Sequence, residues 1–190
     1  MKRNYLIALS LIAVLSLTGI TLNSCRTFGP GETKTKNPCA KKKHRSTRTT
    51  FRYSSFGESR NESISKKMAM SEARAGLASL INTTVKSVTD NYVKSGNYEN
   101  AEEVMSNYQG LAREVVNQSL MGSRVICEKS SRTKQGTYKH YICLEIKAKD
   151  ILYGLDNRYA NNAVLKSDYN YERFRRAFER EMDRMEGFYY

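Results

Sequence analysis

The side chains in this sequence with the most chemical potential are its four cysteines and two histidines. Cys127 and Cys143 fall in two runs that read as the arms of a β-hairpin. Placing Gln135 at the centre of the turn makes paired residue numbers sum to 270, which sets Cys127 beside Cys143. In an oxidising compartment that pair is a candidate disulfide, with two buried thiols as the alternative. Cys39 lies in a basic segment that favours its thiolate, and the sequence allows either an intermolecular disulfide or an unpaired thiol. His44 and His140 stand apart from any nucleophile pattern, and a lone strand histidine is ordinarily a packing or surface residue. Glu102 and Glu103 occupy a first helical turn, where the helix dipole favours negative charge. The chain contains no H-E-x-x-H, G-x-S-x-G, C-x-x-C or phosphate-binding glycine loop. No catalytic residue, metal ligand or cofactor is assigned, and the chain reads as a non-enzyme.

The fourth cysteine, Cys25, closes an amino-terminal pattern. Lys2 and Arg3 precede a short apolar run over Tyr5 to Leu17, and no charge returns before Arg26. This is the layout of a secretory signal, too short for the roughly 20 residues that span a bilayer. Leu22-Asn23-Ser24-Cys25 resembles the lipobox of bacterial lipoproteins, although Asn23 is an imperfect fit. The resemblance implies cleavage before Cys25 and acylation of that residue. Residues 1–24 are then a signal peptide, and several acyl chains give a stable membrane anchor.

The chain has 190 residues, with 32 Lys and Arg against 19 Asp and Glu, a balance of +13. Such a balance raises nucleic acid or another polyanion as partner, provided that the charge sits on the folded part. Between Arg26 and Arg60 there are ten basic and two acidic residues, together with both prolines. Residues 25–48 therefore read as a flexible, solvated tether behind the lipidated cysteine. Its cluster Lys41, Lys42, Lys43, Arg45 and Arg48 is a candidate contact for an anionic membrane, or only a solubilising run. From Asn61 on, twenty basic residues face seventeen acidic ones, and no nucleic-acid motif occurs. Nucleic acid is not an expected partner.

The elements that must position these groups follow from periodicity. Thr49 to Phe56 reads as a strand, and Ser59-Arg60-Asn61-Glu62 has capping-box spacing. A long helix follows to about Ser95, with an apolar stripe of Ile64, Met68, Ala73, Leu77, Leu80, Ile81, Thr84, Val85, Val88 and Tyr92. A second helix spans about Asn100 to Leu120, with Gly110 a candidate kink. In the hairpin, Ile126 faces Leu144 beside Ile142 and Ile146, leaving Val125, Cys127, Tyr141 and Cys143 on the other face. Asp150 can open a further helical segment, and a last helix from about Asp168 carries Tyr171, Phe174, Phe178, Met182 and Met185. The expected fold is α+β, a small antiparallel three-stranded sheet packed by long helices in the order strand-helix-helix-strand-strand-helix. The expected domain covers residues 49–160. Residues 161–190 form a separate aromatic helix that either docks on the domain or serves a partner.

Met68-Ala-Met-Ser-Glu-Ala-Arg-Ala-Gly-Leu-Ala-Ser-Leu80 and its continuation to Val88 resemble the Ala-rich helix of the Helicobacter twenty-kilodalton lipoprotein family. So do the helix reaching Ser119-Leu120, Gly122-Ser-Arg-Val125 and Tyr138-Lys-His-Tyr-Ile-Cys-Leu-Glu145. The similarity covers about Phe51 to Asp150 and rests on loose patterns. It implies a strand-helix-strand-strand core in an envelope lipoprotein. Members include a flagellum-associated outer-membrane lipoprotein that builds a ring-like structure. It carries over no active-site residues.

These readings converge on a non-enzymatic, lipid-anchored envelope protein with a structural or protein-interaction role. It is expected on the periplasmic face of a bacterial outer membrane, held by its lipid. Its expected partners are further copies of itself or another envelope protein, because an open three-stranded sheet gains by pairing. The alternative is a module that binds envelope polyanions, such as lipopolysaccharide or peptidoglycan fragments.

Overall fold

The computed structural model describes residues 37–96, 98 and 100–187. The signal peptide, Cys25 and the first part of the tether lie outside the described residues, as do the final three aromatics. Three strands and four helices follow one another as β1 (Thr50–Ser59), α1 (Glu62–Lys94), α2 (Ala101–Met121), β2 (Arg124–Arg132), β3 (Tyr138–Lys147), α3 (Ala148–Asn161) and α4 (Tyr171–Gly187). The strands form one antiparallel sheet in the order β1-β3-β2. The expected α+β class and element order both hold.

Helix α1 starts because Asn61 caps it, its side-chain oxygen accepting from the Ile64 N–H at 3.1 Å, with Glu62 in the first turn. Ser59, the expected cap, instead accepts from the Asn61 N–H at 3.1 Å. The buried face runs through Ser65, Ala69, Ala73, Leu77, Ile81, Val85, Val88 and Tyr92. Its first two members correct the expected stripe, because Ile64 and Met68 are exposed. Steric fit decides this. The opening turns of α1 lie so close to β1 that a Cβ on Gly57 would sit 2.2 Å from the Ser65 carbonyl oxygen and 2.6 Å from the Ala69 nitrogen. Only small residues fit there, so the bulkier Ile64 and Met68 turn outward. Ser55 reinforces the contact, its hydroxyl donating to the Ala69 carbonyl at 2.6 Å.

Helix α2 runs through Gly110 without interruption, and that glycine faces open space, so the expected kink is not present. Phe51, Ile142, Leu144 and Ile146 of the sheet meet Leu77, Ile81, Val115, Ile151 and Phe178 in one core. Each large aliphatic or aromatic side chain buried there contributes about 1.5–3 kcal/mol. At the far end of α1, Tyr92, Tyr108, Tyr159, Tyr169 and Phe174 pack edge-on or tilted, with neighbouring centroids 4.6–6.3 Å apart. Burial raises the phenol pKa values of Tyr108, Tyr159 and Tyr169, and these rings stay neutral. Helix α4 is part of this core rather than an appendage. Phe174, Phe178, Met182 and Met185 are all buried, which resolves the two readings of that helix in favour of docking.

The hairpin register sums to 270 from Cys127↔Cys143 to Arg132↔Tyr138, as expected. Between Val125 and Cys127 a bulge shifts it, so Val125 rather than Ile126 pairs with Leu144. The bulge moves Ile126 to the side of Tyr141 and Cys143. The turn closes with Gly136 at φ 84°, a left-handed conformation that glycine adopts at no steric cost.

Candidate functional site

Helices cover one face of the sheet. The other is crossed by a strap made of residues 37–48, which the sequence placed in a flexible tether. Asn37 and Pro38 begin it, and the Asn37 side chain accepts from the Cys39 N–H at 2.8 Å. Cys39 is fully buried and bonded to Cys127, with S–S 2.00 Å and Cα–Cα 5.6 Å, across 88 positions of sequence. A single 3₁₀ turn, Lys42–His44, follows.

Beyond the disulfide the strap is held by hydrogen bonds. Its Cys39 carbonyl accepts from the Ser54 hydroxyl. The Cys143 thiol donates to the His44 carbonyl at 3.6 Å. The Arg52 guanidinium donates to the Lys43 and Arg45 carbonyls at 3.1 and 3.3 Å. Buried Ser46 grips the edge of β1, accepting from the Arg52 N–H at 2.8 Å and donating to the Arg52 carbonyl at 3.0 Å. Thr47 and Thr50 then exchange backbone bonds of 2.9 and 3.1 Å.

Arg52 is the pivot because it also bonds buried Glu145. Its Nε and Nη2 lie 2.7 and 2.6 Å from Glu145 Oε2, and Arg124 reaches Oε1 at 2.5 Å. Burial alone would raise the Glu145 pKa, but the hydrogen bonds and charges of the two arginines outweigh it and hold the carboxyl below its usual range. His44 moves the other way for a histidine. Burial, then the neighbouring Lys43, lowers its pKa, so the strap's charge at neutral pH comes from lysine and arginine.

The disulfide corrects the sequence reading. Cys127 and Cys143 are cross-strand partners, but the bond runs from Cys127 to Cys39, and Cys143 is a free, buried thiol. Register arithmetic sees two strands only; the third element lying over them supplies the actual partner. Burial raises the Cys143 pKa, which keeps that thiol protonated. The tether boundary moves as well. The strap returns its lysines and arginines to the folded unit, which from residue 37 on carries twenty-seven basic and eighteen acidic residues, a net charge of +9.

The candidate membrane-contact residues divide. Lys41, Lys42, Lys43 and Arg45 are exposed on the strap over the outer sheet face, where Lys129 is exposed too. Arg48 is not with them. It stands beside α4, its N–H 3.4 Å from a Glu186 carboxylate oxygen, at the rim of a cleft of about 680 Å³ lined also by Lys147, Lys149, Phe178, Met182 and Asp183.

His140 is buried on the helix side of the sheet. Its Nε2 lies 2.9 Å from Glu128 Oε1, which Lys66 of α1 also reaches at 2.6 Å. Those two partners, Lys66 first, hold the Glu128 pKa low. The nearby Ser65 hydroxyl donates to the Glu62 carbonyl at 2.8 Å, not to the imidazole. Among the described residues, no group of three His, Cys, Asp or Glu side chains could hold a metal ion, and no helix is long and apolar enough to cross a membrane. No family model, curated protein or solved structure matches this chain.

Sequence reasoning missed Ser46, Arg52, Glu145 and the Cys39 partner. Nothing in the local pattern around Cys39 singles it out as the partner of Cys127, because the two lie 88 positions apart.

Proposed function

We propose that this protein is a non-enzymatic, lipid-anchored protein of the bacterial envelope that holds a basic surface close to its membrane and self-associates there. The observation that carries the reading is the Cys39–Cys127 disulfide, which pins the strap to the outer sheet face. Disulfides of this kind persist in oxidising compartments, as expected of an exported chain. The bond also leaves Cys25 as the one cysteine available for acylation besides the buried Cys143. Cys39 lies fourteen positions after Cys25. Fully extended, that stretch reaches about 50 Å, so the domain would stay close to the bilayer surface. Lys41, Lys42 and Lys43 sit where the chain enters the domain, and near an anionic leaflet each adds about 1 kcal/mol of salt-screened attraction. Resemblance to the twenty-kilodalton lipoprotein family points the same way, and the reading includes the periplasmic face of an outer membrane as the protein's location.

The test joins acylation to surface binding. Metabolic labelling with a fatty acid is expected to mark the full chain and to fail with Cys25→Ala. The unlipidated Cys25→Ala chain is expected to sediment with anionic vesicles at low salt. Lys41→Gln, Lys42→Gln and Lys43→Gln together should abolish most of that binding. Labelling that survives Cys25→Ala, or binding indifferent to both salt and the lysines, would refute the reading. The fixed lysine cluster and the domain's +9 balance also favour a second reading, in which the ligand is a soluble envelope polyanion. Binding of lipopolysaccharide in preference to vesicles of equal surface charge would select it.

A further inference from the structure

We infer that a second copy of this chain pairs with the uncovered half of β1, joining two sheets into one. The proposal rests on the self-associating envelope reading above and names its interface.

An antiparallel strand directs the backbone groups of successive residues to alternate sides. The register of β1 on β3 is unbroken from Thr50↔Lys147 to Ser59↔Tyr138, so this alternation holds along the whole strand. Thr50 and Arg52 point away from β3, because their N–H and C=O groups bond Thr47 and Ser46. Ser54, Phe56 and Glu58 therefore point the same way. The strap's hold on the β1 edge ends at Arg52, and the strand itself ends at Ser59. What remains is a short edge centred on Phe56.

The sheet's other edge differs. β2 carries a bulge at Ile126 and the charges of Arg124, Lys129 and Arg132, all features that discourage strand addition. Among the described residues nothing pairs with the open edge of β1, which has no bulge, and its one charge, Glu58, is held by Lys139 at 3.1 Å. Phe56, on the outer face, is 53% exposed, and Tyr53, Ile64 and Met68, on the helix side of the same strand, are 40%, 49% and 46% exposed. The steric fit at Gly57 that turned Ile64 and Met68 outward thus leaves apolar side chains exposed near an edge that no described residue pairs with.

A second copy is the occupant these features fit. Antiparallel pairing about a twofold axis at Phe56 sets Phe56 against its own counterpart and Ser54 against Glu58. It uses the open segment in full and stops where the partner would meet Ser46. That axis is perpendicular to the sheet, so both outer faces, both straps and both chain entries at Cys39 lie on one side. That arrangement suits two copies anchored in the same leaflet. The interface is isologous and closes at a dimer.

The experiment uses the full lipoprotein in detergent micelles, read by light scattering and by residue-resolved amide exchange. The expected result is a dimer at about 100 µM in which the Ser54, Phe56 and Glu58 amides are protected and lose protection on dilution. Phe56→Lys is expected to weaken dimerisation about tenfold or more while leaving the melting temperature unchanged, since the side chain is exposed. Met68→Lys, outside the strand, should act in the same direction. A dimer whose three outward amides exchange as fast as free backbone would overturn the interface and leave self-association standing. A chain that stays monomeric throughout would overturn both, without touching the acylation result.

Discussion

On the inner face of the sheet, Phe51, Ile142 and Leu144 meet Leu77, Ile81 and Phe178; on the outer face, Ser54, Cys143 and Arg52 meet Cys39, His44 and Ser46. The first surface is sealed by apolar area and could be covered only by long amphipathic helices. The second is narrow and polar, sealed by one covalent bond, a few hydrogen bonds to strap carbonyls and an Arg–Glu–Arg cluster. Non-directional burial tolerates variation and adds up over many residues. The outer face depends on a handful of groups, each with a defined partner, so single changes there should act locally. The difference also separates tasks. The inner face makes the domain stable, while the outer face sets where the basic residues point.

Perturbing each face in turn tests that contrast. The two largest effects should be of similar size, one from each face. Leu77→Ala, at a fully buried position, is expected to cost about 3 kcal/mol in urea unfolding and to lower protection throughout the core. Cys39→Ser should cost about 2–4 kcal/mol through the long loop it opens, and trypsin should then cut at Lys41 to Lys43 much faster. Non-reducing peptide mapping is expected to recover Cys39 linked to Cys127. A Cys127–Cys143 product, or trypsin resistance unchanged in Cys39→Ser, would mean that the strap is held by something else.

Glu145→Gln should come next, at about 1–2 kcal/mol near neutral pH, because it leaves Arg52 and Arg124 without their anion. The carboxyl's folded pKa is depressed, so its contribution is complete above the ordinary glutamate value near 4.5 and fades as pH falls through the folded one. The gap between wild type and variant should close in acid; a gap constant from pH 7 to pH 3 would break the assignment. The smallest effect belongs to His44. Its lowered pKa means that the docked strap is favoured above about pH 6.5 and loses support as pH falls below it. Intrinsic-rate-corrected exchange of strap amides should therefore be faster at pH 5 than at pH 7.5, with the core unchanged. Lys41, Lys43 and Arg52 are the cations that His44 would then repel.

Legibility in the sequence follows the same division. Helical periodicity found α1, α2 and α4 because apolar burial repeats every three to four residues. It failed at Ile64 and Met68, where close approach to Gly57 favoured smaller side chains over more apolar ones. The hairpin register was correct from Cys127 to Arg132, since turn and alternation specify it locally. It slipped at Ile126, where one extra residue changed faces. The strap was illegible. Cys39 and Ser46 are its buried residues, separated by exposed lysines, so neither apolar pattern nor composition marks it as folded.

By itself, the sequence determined the α+β class and the order of strands and helices. Those are properties of local periodicity and composition. Tertiary structure decided which cysteine Cys127 bonds, which charges belong to the domain and which strand edge the described residues leave uncovered. Each depends on segments distant in the chain meeting across the sheet. Thus the charge that the sequence assigned to a tether becomes largely the charge of a folded surface, since a disulfide and a few backbone-directed hydrogen bonds suffice to lay that segment down.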